Sequence, residues 1–395
     1  MKQNENLNQK VFIRDAIHKN INISEPIIKE LINSREFQRL RWISQFGGAQ
    51  IAFPSATHTR FTHSLGVYHV LNRVFEQVEG RQLINEKDQL IVKIAGLLHD
   101  LGHGPFSHSF EKITNFNDDG NYKFNHEFYT CAIISDENTE VNQILKKYHI
   151  NINQIINIIN KDYNKCPKYQ IQLISSQLDC DRIDYLIRDC YFTGVDYGSI
   201  NLEWVVSNMI IDPKLGICFN YKALWSIENF LVTRFHMYFQ VYFHKGSIFF
   251  DLKLQKLFNH LRKLLQENYQ WKINIEIILP ILKQEVISIN EYLKLNDATI
   301  LKLVQDIILF ETDEILLSWA KAILFNQEPY QLILENIKPN TLSQVQVLQN
   351  VIYDPTKEPI MIKVSDKKIV PLEKVSQILK NPIKEQKLYY FLTEK

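Results

Sequence analysis

The chain has 395 residues, of which 45% are hydrophobic and 23% are charged. These proportions are ordinary for a globular protein with a sizeable core, and the length allows one large domain or two smaller ones. Lys and Arg number 45 against 44 Asp and Glu. This even balance argues against a general polyanion binder and leaves nucleic-acid binding open.

Cysteine usage and hydropathy bear on the compartment. The number of cysteines, 5, is odd and none forms a CxxC pair, which argues against a disulfide framework or a zinc knuckle. The first ten residues are polar and contain no apolar signal segment. No uninterrupted apolar run approaches the roughly 18 residues that a membrane span requires. These features predict a soluble, cytoplasmic protein without a membrane partner.

The predicted elements are mostly helical, because glycine is scarce and long stretches are rich in Leu, Ile and Lys. Apolar spacing and helix breakers predict helices over residues 27–46, 62–78, 85–101, 170–190 and 223–268. Turn residues predict one hairpin around residues 212–216 and another around residues 365–366. The expected fold class is mainly α, with a small α+β C-terminal region and short β-hairpins, and a soft boundary near residue 270.

Histidine is concentrated between residues 58 and 126, which hold seven of the 12 in the chain. His99 and Asp100 end the helix predicted over residues 85–101, where the partial negative charge of a helix terminus favours a cation. Imidazole and carboxylate together suit first-row divalent metals and are tolerated by magnesium or manganese. Two adjacent residues cannot complete a coordination shell, so His63 on the preceding helix and Asp181 on a later one are candidates for the remaining ligands. Each residue alone is better explained as an ordinary core or surface residue, whereas the ordered set is more specific.

Four segments resemble the HD-domain deoxynucleoside triphosphate triphosphohydrolases, or dNTPases. They are residues 37–42 (FQRLRW), 53–66 (FPSATHTRFTHSLG), 95–108 (AGLLHDLGHGPFSH) and 181–189 (DRIDYLIRD). The resemblance covers roughly residues 25–260 and loosens in the C-terminal third. It implies a helical HD phosphohydrolase core over residues 1–270, followed by a C-terminal helical region with a short hairpin over residues 271–395.

The resemblance implies an activity and the residues that perform it. In this family water attacks the α-phosphorus of a dNTP, and deoxynucleoside and inorganic triphosphate are released. The residues that match the ligands of the divalent metal, which could be Mg, Mn, Fe, Ni or Zn, are His63, His99, Asp100 and Asp181. The residues that match the catalytic group, from which the leaving 5′ oxygen takes its proton, are His103, His108, Glu111 and His126. Which histidine delivers the proton stays open, and His103 and His108 could instead only shape the Gly-Pro turn.

The substrate-binding positions divide into phosphate-facing and sugar-facing groups. The positions that match phosphate contacts are Arg60, Arg182, Arg234 and Lys245, three of which offer the forked, permanent charge of a guanidinium. The positions that match contacts to the deoxyribose are Gln45, Tyr185, Asp189 and Tyr242. Asp181, Tyr185 and Asp189 are spaced i, i+4, i+8 and therefore share one face of a helix.

The match to the family's effector site is incomplete. Gln38 and Arg41 match effector-site residues, but Asn33 stands where a mammalian member has a guanine-reading aspartate. Asparagine lacks the negative charge that selects the donors of guanine, so the resemblance does not extend to guanine activation, and another nucleotide effector stays open. Family analogy implies a homodimer or homotetramer.

Two other functions compete with the dNTPase interpretation. The metal ligands alone would equally serve an HD phosphodiesterase acting on another nucleotide or on a nucleic-acid phosphoester. A nucleotide-binding regulator without turnover is the alternative from a different class of protein. The sugar-facing residues argue against the first alternative, and the intact ligand and histidine groups argue against the second.

Overall fold

The computed structural model describes residues 11–114, 125–197, 200–327, 330–335, 344–380 and 386–394. The polar residues 1–10, on which the prediction about a signal segment depends, lie outside the described residues. Among the described residues, none of the helices is long and apolar enough to cross a membrane.

The described part of the chain is mainly α-helical, as the sequence predicts. Its α-helices up to residue 266 are α1 (Pro26–Asn33), α2 (Arg35–Arg39), α3 (Arg60–Gln77), α4 (Glu86–Leu98), α5 (His108–Thr114), α6 (His126–Ser135), α7 (Glu140–Lys147), α8 (Ile152–Ile159), α9 (Lys168–Gln172), α10 (Cys180–Thr193), α11 (Leu202–Ser207), α12 (Leu224–Met237) and α13 (Lys245–Gln266). Those that follow are α14 (Leu279–Leu282), α15 (Ile289–Tyr292), α16 (Asp297–Phe310) and α17 (Glu314–Phe325).

The strands form small sheets. The strands are β1 (Val11–Asp15), β2 (Lys19–Ile23), β3 (Met209–Asp212), β4 (Gly216–Asn220), β5 (Tyr330–Glu335), β6 (Gln344–Asn350), β7 (Met361–Ser365), β8 (Lys368–Pro371) and β9 (Gln386–Glu394). Hairpins β3-β4 and β7-β8 confirm the two predicted hairpins. They join through a parallel pairing of β4 with β7 into one sheet of order β3-β4-β7-β8. The hairpin β1-β2 and the antiparallel sheet β5-β9-β6 were not predicted.

Capping side chains divide two of the predicted helices. The helix predicted over residues 27–46 is broken at Ser34, whose hydroxyl accepts a hydrogen bond from the Phe37 amide (3.4 Å) and thereby starts α2. The helix predicted over residues 170–190 is broken before Asp179, whose carboxylate accepts from the Arg182 amide (2.7 Å) and starts α10. These predictions were wrong because a side chain that satisfies free amides at a helix start outweighs continuous apolar spacing.

The helix predicted over residues 223–268 is interrupted as well. Helix α12 passes into a π-helical turn over Tyr238–Tyr242, and α13 starts only after His244. The ring of His244 accepts a hydrogen bond from the Gly246 amide (3.1 Å). The interruption turns Tyr242 toward Asp189 on α10, to which its hydroxyl donates a hydrogen bond (2.7 Å).

The helix predicted over residues 85–101 has its expected start and an earlier end. The side chain of Asn85 caps α4 by accepting from the Asp88 amide (2.8 Å), as predicted. The helix ends at Leu98, so His99 is its C-cap and Asp100 lies in the turn that follows. The His-Asp pair therefore projects from the negative end of a helix dipole.

Helix α3 packs against both α4 and α10 in the buried core. Two glycines permit the close approach of these helices. A Cβ atom at Gly96 would lie 2.2 Å from Leu71 Cδ1, and a Cβ atom at Gly66 would lie 1.9 Å from Asp184 Oδ1 and 2.6 Å from Arg188 Nη2. The absence of a side chain at Gly66 therefore makes room for the charged groups of Asp184 and Arg188.

Contacts cross the predicted boundary at residue 270. The guanidinium of Arg39 donates to the Leu295 carbonyl (2.9 Å). The carboxylate of Asp297 accepts from the amides of Ser44 (2.9 Å) and Phe106 (2.6 Å). The division into residues 1–270 and 271–395 stays a prediction. The described residues of the two parts are packed together through these hydrogen bonds.

We expect Gly66→Ala to destabilise the protein, although alanine is ordinarily the better helix former by about 1 kcal/mol. The added methyl group would displace the buried Asp184–Arg188 pair, so the free energy of unfolding should fall by about 3 kcal/mol. Chemical denaturation measures this change. Glu76→Ala on the exposed side of α3 is the control and should change the free energy by less than about 0.5 kcal/mol. Wild-type stability of Gly66→Ala would contradict the packing described.

Candidate metal centre and active-site cavity

Three helices bring the predicted metal ligands together. His63 lies on α3, Asp181 lies on α10, and His99 and Asp100 follow α4. Asp181 Oδ1 lies 3.0 Å from His63 Nε2 and 3.6 Å from His99 Nε2. Asp100 Oδ1 lies 3.2 Å from His99 Nε2, and Asp100 Oδ2 lies 3.5 Å from His63 Nε2. Residues separated by more than 100 positions in sequence thus place two nitrogens and two carboxylates in one small volume.

The donor atoms in this volume fit a divalent cation. The Nε2 atoms of His63 and His99 are buried and make no hydrogen bond within the described residues. Buried ring nitrogens rarely lack a partner, and here both face carboxylate oxygens. His63, His99 and Asp181 offer ligand atoms that all lie within 4.8 Å of one another. Two imidazoles and two carboxylates suit zinc, iron, nickel or manganese and leave positions for water, but they do not distinguish among these metals.

Each histidine of this centre is oriented by its other ring nitrogen. His63 Nδ1 donates to Asp184 Oδ2 (2.8 Å), and His99 Nδ1 donates to the Gly96 carbonyl (2.8 Å). Because a carbonyl can only accept, His99 carries its proton on Nδ1 when neutral, which leaves Nε2 free to bind a metal. The same assignment for His63 follows from its bond to a carboxylate.

Asp184 is the centre of a buried network that motif reading did not find. Its oxygens accept from Arg188 Nε (2.9 Å) and Nη2 (3.0 Å), and lie 2.6 Å from His18 Nε2. Arg188 Nη1 also donates to Asp15 Oδ2 (2.8 Å), which ties the β1-β2 hairpin to α10. The i, i+4 spacing of Asp184 and Arg188 was a usable signal, whereas nothing in the sequence near Asp15 and His18 indicated this contact.

The carboxylates control the protonation of the metal-free centre. Burial alone would lower the pKa of His63, but the neighbouring carboxylates of Asp181, Asp184 and Asp100 raise the pKa to about 10. Burial would raise the pKa of Asp181, but the neighbouring imidazoles of His63 and His99 lower it. The metal-free centre therefore holds a proton on His63 at neutral pH, and a metal ion must displace that proton.

A second cluster of histidines lies beside the metal centre. Glu111 Oε1 accepts from His126 Nδ1 (2.6 Å), and Glu111 Oε2 accepts from His108 Nδ1 (3.0 Å). The ring of His103 stacks on that of His126, with centroids 4.0 Å apart and planes inclined by 10°. His103 Nε2 lies 3.3 Å from Asp100 Oδ1, so the cluster adjoins a predicted metal ligand. All four residues of the predicted catalytic group are thus in contact.

A cavity of about 450 Å³ joins the two clusters. The predicted substrate residues that line it are Gln45, Arg60, Arg182, Tyr185, Asp189 and Tyr242. Arg234 and Lys245 are not among its lining residues. The guanidinium of Arg234 instead donates to the carbonyls of Gln177 (2.9 Å) and Ile352 (3.0 Å). Lys245 is exposed at the start of α13.

The sugar-facing residues are held in fixed positions. Asp189 Oδ2 accepts from the Tyr242 hydroxyl (2.7 Å), and Asp189 Oδ1 lies 2.9 Å from His58 Nε2. The ring of Tyr185 lies between the metal centre and the other sugar-facing residues, 6.5 Å from the His63 ring and 6.4 Å from the Tyr242 ring. His58 was missed, although it belongs to the THTRFTH segment whose other histidine was identified.

Arg60 links the cavity wall to the metal centre. It donates to Asp100 Oδ2 (2.6 Å) and to the Ser107 hydroxyl (2.9 Å). Arg182 donates to the Ser176 carbonyl (2.5 Å) and toward the Tyr185 hydroxyl (3.4 Å). Both guanidinium groups thus lie at the cavity in positions fixed by protein partners.

The predicted effector residues do not form one group. Gln38 donates to the Ile32 carbonyl (2.7 Å) and accepts from Arg41 Nε (2.7 Å). The guanidinium of Arg41 lies 3.6 Å above the Phe61 ring. Asn33 is exposed at the end of α1 and lines a separate cavity of about 410 Å³ between α1 and α7. An effector role for these residues stays a prediction.

We expect Asp184→Asn to weaken metal binding roughly 10- to 100-fold, because the amide loses the negative charge and turns an N–H group toward donors that now share the two carboxylate oxygens. Isothermal titration with MnCl2 measures the affinity. Asp366→Asn removes an equal charge from a side chain that is 98% exposed and serves as the control. Equal affinities in the two variants would show that Asp184 does not orient the ligand.

We also expect metal binding to release a proton and to strengthen as pH rises. The pKa of His63 is raised to about 10 in the metal-free centre, so the imidazole is protonated below that pH and competes with the metal. Affinity should increase roughly tenfold per pH unit for each proton released. Titrations in buffers of different ionisation enthalpy count the protons. An affinity independent of pH between about pH 6 and about pH 8 would contradict this protonation state.

Comparisons with known proteins agree with this geometry. The model of the HD domain family matches residues 60–189, which contain all four predicted metal ligands. An uncharacterized protein of Bacillus subtilis is 36% identical over 301 residues, covering 75% of this chain and 66% of that protein. An uncharacterized protein of Mycoplasma genitalium is 38% identical over 304 residues, covering 73% of this chain and 71% of that protein.

More distant similarity extends to a protein with a stated activity and to a solved structure. The human deoxynucleoside triphosphate triphosphohydrolase SAMHD1 is 28% identical over 282 residues, covering 62% of this chain and 44% of that enzyme. The crystal structure of a phosphohydrolase from Bacteroides thetaiotaomicron has the same fold, with a TM-score of 0.84 at 24% identity over 98% of this chain and 100% of that one. The match across the metal ligands and the extent of similarity to the Mycoplasma protein place the chain in the HD-domain family, whose members are metal-dependent phosphohydrolases.

Proposed function

We propose that the protein hydrolyses dNTPs to deoxynucleoside and inorganic triphosphate. One observation carries the proposal: a single cavity is lined both by the metal ligands Asp100 and Asp181 and by the hydrogen-bonded pair Asp189 and Tyr242. A volume of about 450 Å³ falls in the range of small-molecule sites. The relatives that carry a stated activity are dNTP triphosphohydrolases, which supports this substrate class.

The sugar end supports a deoxynucleotide. Asp189 has acceptor capacity beyond its bonds to His58 and Tyr242, so it can accept from a 3′ hydroxyl. The Tyr242 ring is fixed by its own hydrogen bond, and a fixed ring beside the sugar would crowd a 2′ hydroxyl. Tyr185 lies between this pair and His63, which is where the sugar must lie if the α-phosphate is at the metal centre.

A divalent cation held by His63, His99, Asp100 and Asp181 would polarise the α-phosphate and lower the pKa of a bound water. Arg60 and Arg182 line the same cavity and can meet the charge of the triphosphate. Arg60 already bonds to Asp100, so a phosphate contact there is directly coupled to the ligand set. Arg234 and Lys245 do not line the cavity, and their phosphate contacts stay predictions.

The histidine cluster can supply the proton that the 5′ oxygen takes as it leaves. Burial, the charge of Arg60 and the neighbouring His126 hold the pKa of His103 well below its ordinary value, so His103 is neutral and a poor proton donor. His108 and His126 each donate through Nδ1 to Glu111, which orients both rings and leaves Nε2 of each ring to donate. We therefore assign the proton transfer to His108 or His126, with His103 stacked on His126.

The main alternative is an HD phosphodiesterase acting on another nucleotide or on a nucleic-acid phosphoester. The metal ligands and the histidine cluster would serve that reaction equally well. A homodimer or homotetramer and a nucleotide effector remain proposals from family analogy, and a cytoplasmic location remains a proposal from cysteine usage.

The product mixture tests the proposal. The metal-loaded protein incubated with each of the four dNTPs, with and without a second nucleotide, should release deoxynucleoside and triphosphate in equal amounts. Chromatography separates these products from nucleoside monophosphate and pyrophosphate. The variant His99→Ala/Asp100→Ala should neither bind metal nor turn over substrate. Monophosphate and pyrophosphate as products, or turnover confined to cyclic or polymeric phosphoesters, would reject the proposed reaction.

A further inference from the structure

The loop that precedes α10 is bonded to the helical turn that carries Asp181. Residues 173–179 form this loop, and Ile174 and Ser175 line the active-site cavity. The Ser176 amide donates to Asp179 Oδ2 (2.6 Å), and the Ser176 carbonyl accepts from Arg182 Nε (2.5 Å). Because Asp179 caps α10 and Arg182 is in its first turn, any movement of the loop is passed to the turn that carries Asp181.

The outer side of this loop is bound to a segment of the C-terminal third, residues 352–358. Gln177 makes the contact. Its Nε2 atom donates to the carbonyls of Asp354 (2.8 Å) and Glu358 (2.5 Å), and its Oε1 atom accepts from the Asp354 amide (3.0 Å). One side chain thus satisfies three backbone groups of the segment, in the way that a neighbouring β-strand would.

Arg234 forms a second connection to the same two places. Its guanidinium donates to the Gln177 carbonyl (2.9 Å) and to the Ile352 carbonyl (3.0 Å). The loop is therefore held between α12, which carries Arg234, and segment 352–358.

Segment 352–358 is itself anchored to the protein. Strand β7 begins three residues beyond the segment and pairs with β4, with Cys218 opposite Met361. The Tyr353 hydroxyl accepts from the Ile360 amide (3.1 Å) and donates to Glu373 (3.1 Å). The Glu358 carboxylate accepts from the Gln172 side chain (2.8 Å) at the end of α9. Both ends of the segment are fixed, so it can act as a rigid support for the loop.

We propose that Gln177 is a positioning residue, through which segment 352–358 fixes the loop before α10 and so holds Asp181 in the metal centre. The C-terminal third then takes part in metal binding without contributing a ligand. The catalytic consequence rests on the proposed function, whereas metal affinity tests the inference directly and needs no substrate. Groups that orient metal ligands commonly contribute 10- to 100-fold to affinity, and roughly tenfold is expected for a contact acting through the loop.

The experiment compares Gln177→Leu and Gln177→Asn in the full chain with a matched control. Leucine keeps the bulk of the side chain and removes its hydrogen bonds, while asparagine keeps the amide but cannot reach both carbonyls. Tyr163→Phe is the control, because the Tyr163 hydroxyl bonds to the same segment at Glu358 (3.2 Å) without touching the loop. Affinity for Mn²⁺ is measured by calorimetry, and thermal unfolding of each metal-free variant gives the folded fraction.

We expect affinity to fall roughly tenfold in Gln177→Leu, less in Gln177→Asn, and not at all in Tyr163→Phe. If the protein turns over dNTPs, kcat of Gln177→Leu at saturating metal should lie closer to the wild-type value than its metal affinity does. Wild-type affinity in a folded Gln177 variant would overturn the inference, as would an equal loss in Tyr163→Phe. If Gln177→Leu does not fold, the folded Gln177→Asn variant decides on the same criterion. Absence of dNTP turnover with the predicted loss of affinity would reject the proposed function and leave this inference standing.

Discussion

The buried carboxylate of Asp184 is the interaction on which the metal centre depends. It has no exposed surface, and a charge in that position is tolerable only because Arg188, His18 and His63 surround it. Removing any one partner would leave part of the buried charge uncompensated, so Asp184 and its three partners depend on one another. It also explains why a glycine faces it from α3, since any side chain at Gly66 would occupy its place. The orientation of His63 is thus set by a network that extends to the β1-β2 hairpin.

Asp100 connects the parts of the site that must act together. One oxygen lies near His99 and His103, and the other accepts from Arg60. The same carboxylate therefore contacts the metal centre, the histidine cluster and a cation at the substrate cavity. If Asp100 helps to hold a metal ion, as proposed, it would share its charge between that ion and Arg60, and Arg60 would keep more charge for the proposed phosphate contact. Metal binding and phosphate binding are expected to be coupled through this one residue.

The sequence predicted the features that depend on local residue types. Asn85 as a helix cap, the two hairpins and the convergence of His63, His99 and Asp181 follow from short-range patterns and from a resemblance carried by contiguous segments. The errors arose where a local cap competed with a long apolar pattern, as at Ser34. The omissions were long-range contacts: the His58–Asp189 pair joins residues 131 positions apart, and no local pattern encodes that pairing. The substrate and effector roles of individual residues remain predictions, because geometry alone does not name a ligand.

The C-terminal third illustrates a different limit of sequence reading. Its contacts to the loop before α10 and to α12 are made by the backbone groups of Ile352, Asp354 and Glu358, which any sequence could supply there. Of the side chains that bind these groups, Gln177 lies within the residues that match the HD family and Arg234 lies on α12 beyond them. If this region acts through its backbone, selection would preserve its path more strongly than its residues. The phosphohydrolase of Bacteroides thetaiotaomicron keeps the same fold at 24% identity, with a TM-score of 0.84 over 98% of this chain. The contribution of this part of the molecule then depends on the path of its backbone, which a search for sequence motifs cannot detect.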